Sequence, residues 1–311
     1  MHRRETQLVW TLFAAVAVEV LVTYSRIPSR ELYHVSGGGL EVGAGRALVF
    51  LNYPVALVAL AVLGLLWERL GPRLRPAAIV AAVLCAAVFW PGVVDQANLD
   101  AKPVNALAAV GVLLAVVLSL VAGAAPARPR SRAADRARIA AAAALVFVAL
   151  PWEAADLGFS FDHTALGSVF QTGELRRQAG TPGIHPAVHH GHHHGMDGVL
   201  LVLAALLLSR ALAGVRARGL RLAVGAYLSL MVAYGLANIA NDFEIEQVLK
   251  RGWTSWEMPS VLQPAANLPW LGIVLAAAVM WLAYERWSTK AAAKLPSVSG
   301  SETRECARMQ T

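Results

Sequence analysis

Nine histidines occur in the chain, and six of them lie between residues 185 and 194, in the stretch HPAVHHGHHHGMDG, 185–198. Imidazole nitrogens bind zinc, iron, copper and nickel, and a carboxylate in the same set puts zinc and iron first, with copper or nickel next. Pro186 suits the first turn of a helix, and an apolar run follows it. A helix starting there would place His189, His193 and Asp197 at i, i+4 and i+8 on one stripe, with His190 and His194 as an adjacent i, i+4 pair. Side chains at that spacing lie roughly 5–6 Å apart at Cβ, within reach of one cation. His185 stands at the start of the same stretch. The expected metal ligands are therefore His185, His189, His190, His193, His194 and Asp197. Gly191 and Gly195 oppose this helix by about 1 kcal/mol each relative to alanine. The plainer reading is a solvated loop that captures divalent metal exchangeably.

Three carboxylates are candidate catalytic groups, as general base or further ligand. Glu153 and Asp156, at i and i+3, follow Pro151 at the end of an apolar run. Glu19 lies inside one, where burying a carboxylate is costly enough to suggest a role. Their structural alternatives are an interfacial helix end for the pair and an interhelical hydrogen bond for Glu19. Asn52, Tyr53, Asn105, Asn238, Asn241 and Asp242 fall near the same ends of their apolar runs as the histidine tract does.

The elements that must position these groups are hydrophobic helices. The 311 residues are 57% apolar and 15% charged, against about 25% charge in an ordinary soluble domain. Apolar runs of bilayer length recur, and every backbone polar group within a bilayer must be paired internally. These runs predict helices. The fold class is all-α: a polytopic membrane bundle of about eight spans, 8–25, 44–66, 77–92, 104–124, 138–152, 196–215, 220–240 and 266–285, forming one domain over 1–288. Residues 289–311 form a disordered tail. The first run continues past Glu19 without a small-residue cleavage site and reads as a retained anchor.

Basic residues set the orientation. With the N-terminus cytoplasmic, 19 of the 27 lysines and arginines fall in inner segments, and the alternation holds at every loop pair. Both termini are then cytoplasmic, and the large loop 153–195 with its histidines is extracytoplasmic, in a cell membrane of bacterial inner-membrane type. From Gly198 to Ser209 only twelve uncharged residues precede Arg210, roughly 18 Å of helix against a hydrocarbon core of about 30 Å. That shortfall draws the histidine loop down toward the headgroups. The net charge of +7 reads as topology and contact with anionic lipid; the basic residues are split among short loops, with no nucleic-acid module. Cys85 and Cys306 form no metal motif.

The sequence thus points first to a metal-dependent membrane enzyme, a hydrolase or oxidoreductase acting on a lipid or other outer-leaflet substrate through metal-activated water or dioxygen. A transition-metal transporter with a histidine capture loop is the alternative. It suffers from nearly pure Ala, Leu and Val inner halves, because a permeant ion needs polar partners in mid-membrane. A non-catalytic metal sensor or assembly factor is the third class.

Overall fold

The computed structural model describes residues 3–26, 36–93, 98, 100–122, 132–156, 175–176, 185–186, 194–249 and 252–293. Among these, eight α-helices follow one another: α1 Arg3–Arg26, α2 Gly39–Leu66, α3 Arg75–Ala86, α4 Asn105–Val121, α5 Arg132–Asp156, α6 His194–Ser209, α7 Arg218–Phe243 and α8 Leu268–Ala293. Each overlies one of the apolar runs read from the sequence. Five of them contain segments long and apolar enough to cross a membrane: Arg4–Arg26, Gly39–Leu66, Gly195–Gly214, Arg218–Phe243 and Leu268–Trp287. Helices α3 and α4 are shorter and equally apolar. This is the architecture of a helical membrane protein.

Helix α2 is the hub. It packs against α1, α3, α4, α6 and α7, and 75% of its most apolar window is buried, against 11% for α8. Helix α8 lies at the margin on α7, and α5 packs on α6. Lipid tails are as apolar as leucine, so close backbone approach through small residues must hold helices together in a bilayer. Three crossings show it. A Cβ on Gly43 of α2 would collide with the Leu21 carbonyl of α1, one on Gly111 of α4 would stand 2.7 Å from the Cys85 amide of α3, and one on Gly235 of α7 would stand 2.7 Å from the Gly198 carbonyl of α6.

The helices run up and down, so the bundle has two polar ends. At the arginine end, Arg210 bridges Glu5 of α1 at 3.4 Å and Asp135 of α5 at 3.2 Å, and Arg138 also holds Asp135 at 3.2 Å. The Arg138 guanidinium donates to Ser209 at 2.8 Å, and Trp10 Nε1 donates to Ser119 at 3.0 Å. The Glu68 carboxylate accepts the amides of Arg216 and Ala217 at 2.7 and 2.6 Å, just ahead of α7, where helix-end N–H groups favour an anion. At the opposite, histidine end, Asn267 Oδ1 accepts the Trp270 amide at 3.0 Å and caps α8.

Two boundaries differ from expectation. Pro186 does not open α6: it pairs with Leu175, and His185 with Arg176, in a two-residue antiparallel ladder, while α6 begins at His194. Proline's fixed φ fits extended edge backbone as well as a helix start. Helix α8 continues through Ala293, so residues 289–293 are helical rather than part of a disordered tail; Ala291, Ala292 and Ala293 are strong helix formers.

Candidate functional site at the histidine end

At the histidine end, polar side chains from α1, α2, α4, α6 and α7 are buried together. Asp197 stands in the first turn of α6, three residues after His194, and is 8% exposed. Among the described residues, Arg46 of α2 and Asp242 of α7 are charged side chains that act on it, and both are almost wholly buried. The Arg46 guanidinium lies over the Tyr24 ring of α1, 4.9 Å from its centroid, an arrangement whose attraction grows with desolvation. Removing charges from water is costly unless they are paired, and here a guanidinium is buried with two carboxyl groups.

The α6–α7 crossing explains why these groups meet. Gly198 follows Asp197 directly and abuts Gly235 and Ile239 of α7. Asn238 and Asp242 lie three and seven residues beyond Gly235, on the same face of α7. Helix α7 then passes into a π-helical turn, Glu244–Leu249, a geometry often found beside functional sites. Aromatic rings close the cluster below: Tyr53 of α2 meets Tyr234 of α7 edge-on at 6.1 Å, and Tyr234 lies 5.2 Å from Trp270 of α8. The Tyr234 hydroxyl donates to the Leu262 carbonyl at 2.6 Å. Asn52 Nδ2 donates to the Asn105 carbonyl at 2.9 Å, tying α2 to α4.

The expected site residues are distributed unevenly. Asp197 is inside the cluster. Glu19 is half-buried on α1, where it accepts a hydrogen bond from Thr23 one turn on at 2.9 Å; Tyr24, beneath Arg46, lies five residues further along the helix. Glu153 is half-buried near the end of α5, and Asp156 is that helix's last residue. Because α5 packs antiparallel to α6, Glu153 stands at the same end as Asp197. His185 lies in the two-residue ladder and His194 opens α6. His189, His190 and His193 lie outside the described residues. Among the described residues, no three of His, Cys, Asp and Glu form a group that could hold a metal ion.

Arg46 is the residue that sequence reasoning missed. It precedes the apolar run ALVFL and reads as one more outer-loop base, yet it is about two turns inside α2 and 2% exposed. The available signal was Tyr53 at i+7, which places Arg46 on the same helix face as a polar aromatic. Compared with family models, with curated proteins and with solved structures, the chain matches none.

Proposed function

We propose that the chain crosses a bacterial inner membrane eight times with both termini cytoplasmic, and works at its outer leaflet as a metal-dependent enzyme. The observation that carries this reading is the buried layer of Arg46, Asp197 and Asp242 at the end of the bundle where the histidine tract enters α6. Buried charge is expensive in a membrane protein and gathers where function needs it. His185, His189, His190, His193 and His194, with Asp197, supply the ligands for zinc or iron, or failing those copper or nickel. Glu153, Asp156 or Glu19 serves as base or further ligand. The metal activates water or dioxygen against a membrane lipid or another outer-leaflet substrate.

Transport is less well supported. Among the described residues, the buried side chains between the two polar ends are mostly apolar, Val58, Ala61, Val62, Ala108, Ala115, Leu201, Ala204 and Leu208 among them, and these offer a permeant ion no coordinating group. The test is metal analysis of detergent-purified protein after dialysis without chelator. Stoichiometric zinc or iron is expected in the native protein, falling sharply in the His189→Ala/His193→Ala double variant and in Asp197→Asn. Substoichiometric metal that the double variant leaves unchanged would end this reading.

A further inference from the structure

The connection from α7 to α8 is folded back on α7 and pinned there. The amides of Gly252 and Trp253 close the π-helical turn by donating to the carbonyls of Leu249 and Val248, at 2.8 and 3.2 Å. Gly252 takes the positive φ of 73° that such a reversal needs. The Trp256 amide donates to Thr254 Oγ1 at 3.0 Å, and the Met258 amide to Glu244 at 3.1 Å. Asn241 Nδ2 donates to the carbonyls of Met258 and Pro259 at 3.0 and 3.4 Å, and the Tyr234 hydroxyl holds the Leu262 carbonyl. Tyr234 and Asn241 are about two turns apart on one face of α7, so residues 258–262 form a strap that runs back along the helix. Non-helical backbone at membrane depth needs its polar groups met by protein, and these three carbonyls are met.

Pinning fixes the depth of the strap. From Leu222, the residue after the last arginine of α7, to Asn241 is twenty residues, enough to cross a hydrocarbon core of about 30 Å. Asn241 therefore marks the edge of that core. Trp256 stands two residues before Met258, on the side away from the descending strap, and two residues of chain reach at most about 7 Å. That distance matches a headgroup layer roughly 5–8 Å deep on each side of the core.

The connection also has two faces. Val261 and Leu262 are buried, whereas Trp253 and Trp256 are 71% and 61% exposed. Only Glu257 is charged among residues 252–267, one in sixteen, against about 25% in a soluble domain. Directly after it, α8 opens with exposed Leu268, Leu271 and Val274, on a helix long and apolar enough to cross the membrane. The apolar surface that the tryptophans adjoin is therefore one that lipid covers. An indole has a large apolar body and a single N–H donor, a combination that favours the boundary between lipid and water.

We propose that this connection is a membrane-interface anchor, with the Trp256 and Trp253 rings seated among the headgroups and ester groups of the leaflet at the histidine end. The anchor sets the depth of the α7 end that carries Asn238, Asn241 and Asp242. It depends neither on the histidine metal centre nor on the direction in which the bundle is inserted.

The experiment uses the full chain reconstituted in phosphatidylcholine–phosphatidylglycerol vesicles. Subtracting the tryptophan fluorescence of Trp253→Phe/Trp256→Phe from that of the native protein leaves the emission of the two rings. That emission is expected to be quenched most by phospholipid brominated beside the esters, less by phospholipid brominated at the chain ends, and least by iodide present on both sides of the membrane. Iodide as the strongest quencher would put the rings in water. Chain-end bromine as the strongest would put them in the hydrocarbon, and no quenching by any of the three would mean that protein covers them. Each of these results would overturn the proposal. Should the double variant fail to fold, the native protein decides, in vesicles containing a phospholipid with a photoactivatable diazirine in its headgroup. Light is expected to attach lipid to the peptide that holds Trp253 and Trp256, and absence of that adduct would overturn the proposal.

Discussion

Arg46 and Asp197 are both withdrawn from water, and the charge of Arg46 acts on the Asp197 carboxyl. A guanidinium almost wholly withdrawn from water needs carboxylates around it, and removing one member of a buried ion pair typically costs about 3–5 kcal/mol. Arg46→Met should therefore destabilise the protein by about that amount, because the Asp197 carboxyl would lose the positive charge that acts on it. Adding Asp197→Asn to Arg46→Met should recover part of the loss, so a double-mutant cycle in chemical unfolding should return a coupling of about 1–3 kcal/mol. Strict additivity would mean that the two side chains do not interact. Asp197 was legible in the sequence because it follows a ligand-rich tract. Arg46 was not: an arginine beside an apolar run ordinarily snorkels to the interface, and its partners lie some 150 and 200 residues away. Glu5 was hidden in the same way. It looks like one charge of a polar N-terminus, yet it is 2% exposed and 3.4 Å from Arg210.

Between elements, glycine positions decide which helices touch. Gly198 and Gly235 let α6 and α7 meet backbone to backbone, and that contact carries Asp197 to the level of Asn238. Valine at either position would force the helices apart. Gly235→Val would bring its Cβ to 2.7 Å from the Gly198 carbonyl and 2.8 Å from Val202, and overpacking of this kind costs about 1–3 kcal/mol. The expected outcome is a lower Tm together with loss of bound metal. Gly272 of α8 is the control, since a Cβ there meets nothing within 4 Å; Gly272→Ala should be neutral or stabilise by about 0.5–1 kcal/mol. Equal loss in both variants would show that helix propensity rather than the crossing is being measured. Helix existence was legible because twenty-residue apolar runs punctuated by arginine admit few other structures. The start of α6 was not. Pro186 satisfies two backbone geometries equally well, and only the pairing of Leu175 with Pro186, a contact across a loop, selects the extended one.

Across the whole molecule, an apolar middle separates two polar ends built differently. The arginine end is a network of ion pairs and caps: Glu5, Arg210, Asp135 and Arg138 link α1, α5 and α6, and Glu68 caps α7. The histidine end buries the charged side chains Arg46, Asp197 and Asp242 together with the amides of Asn238 and Asn241. The basic residues follow the same division, which is why the sequence assigns the arginine end to the cytoplasm. Single-cysteine labelling in cells tests the assignment directly. Cys85 is fully buried and can remain, so only Cys306 need be replaced. Gly71 lies in the turn between α2 and α3, and a side chain there meets nothing within 4 Å, so Gly71→Cys reports on the arginine end without disturbing packing. His190→Cys reports on the histidine tract. A membrane-impermeant maleimide should label position 190 in intact cells and position 71 only after the membrane is opened. The reverse pattern would turn the bundle over, put the histidines in the cytosol and remove the outer leaflet as the place of reaction. Labelling of both positions in intact cells would mean that the number of crossings between them is even, which the three expected spans between them, 77–92, 104–124 and 138–152, do not allow if each crosses once.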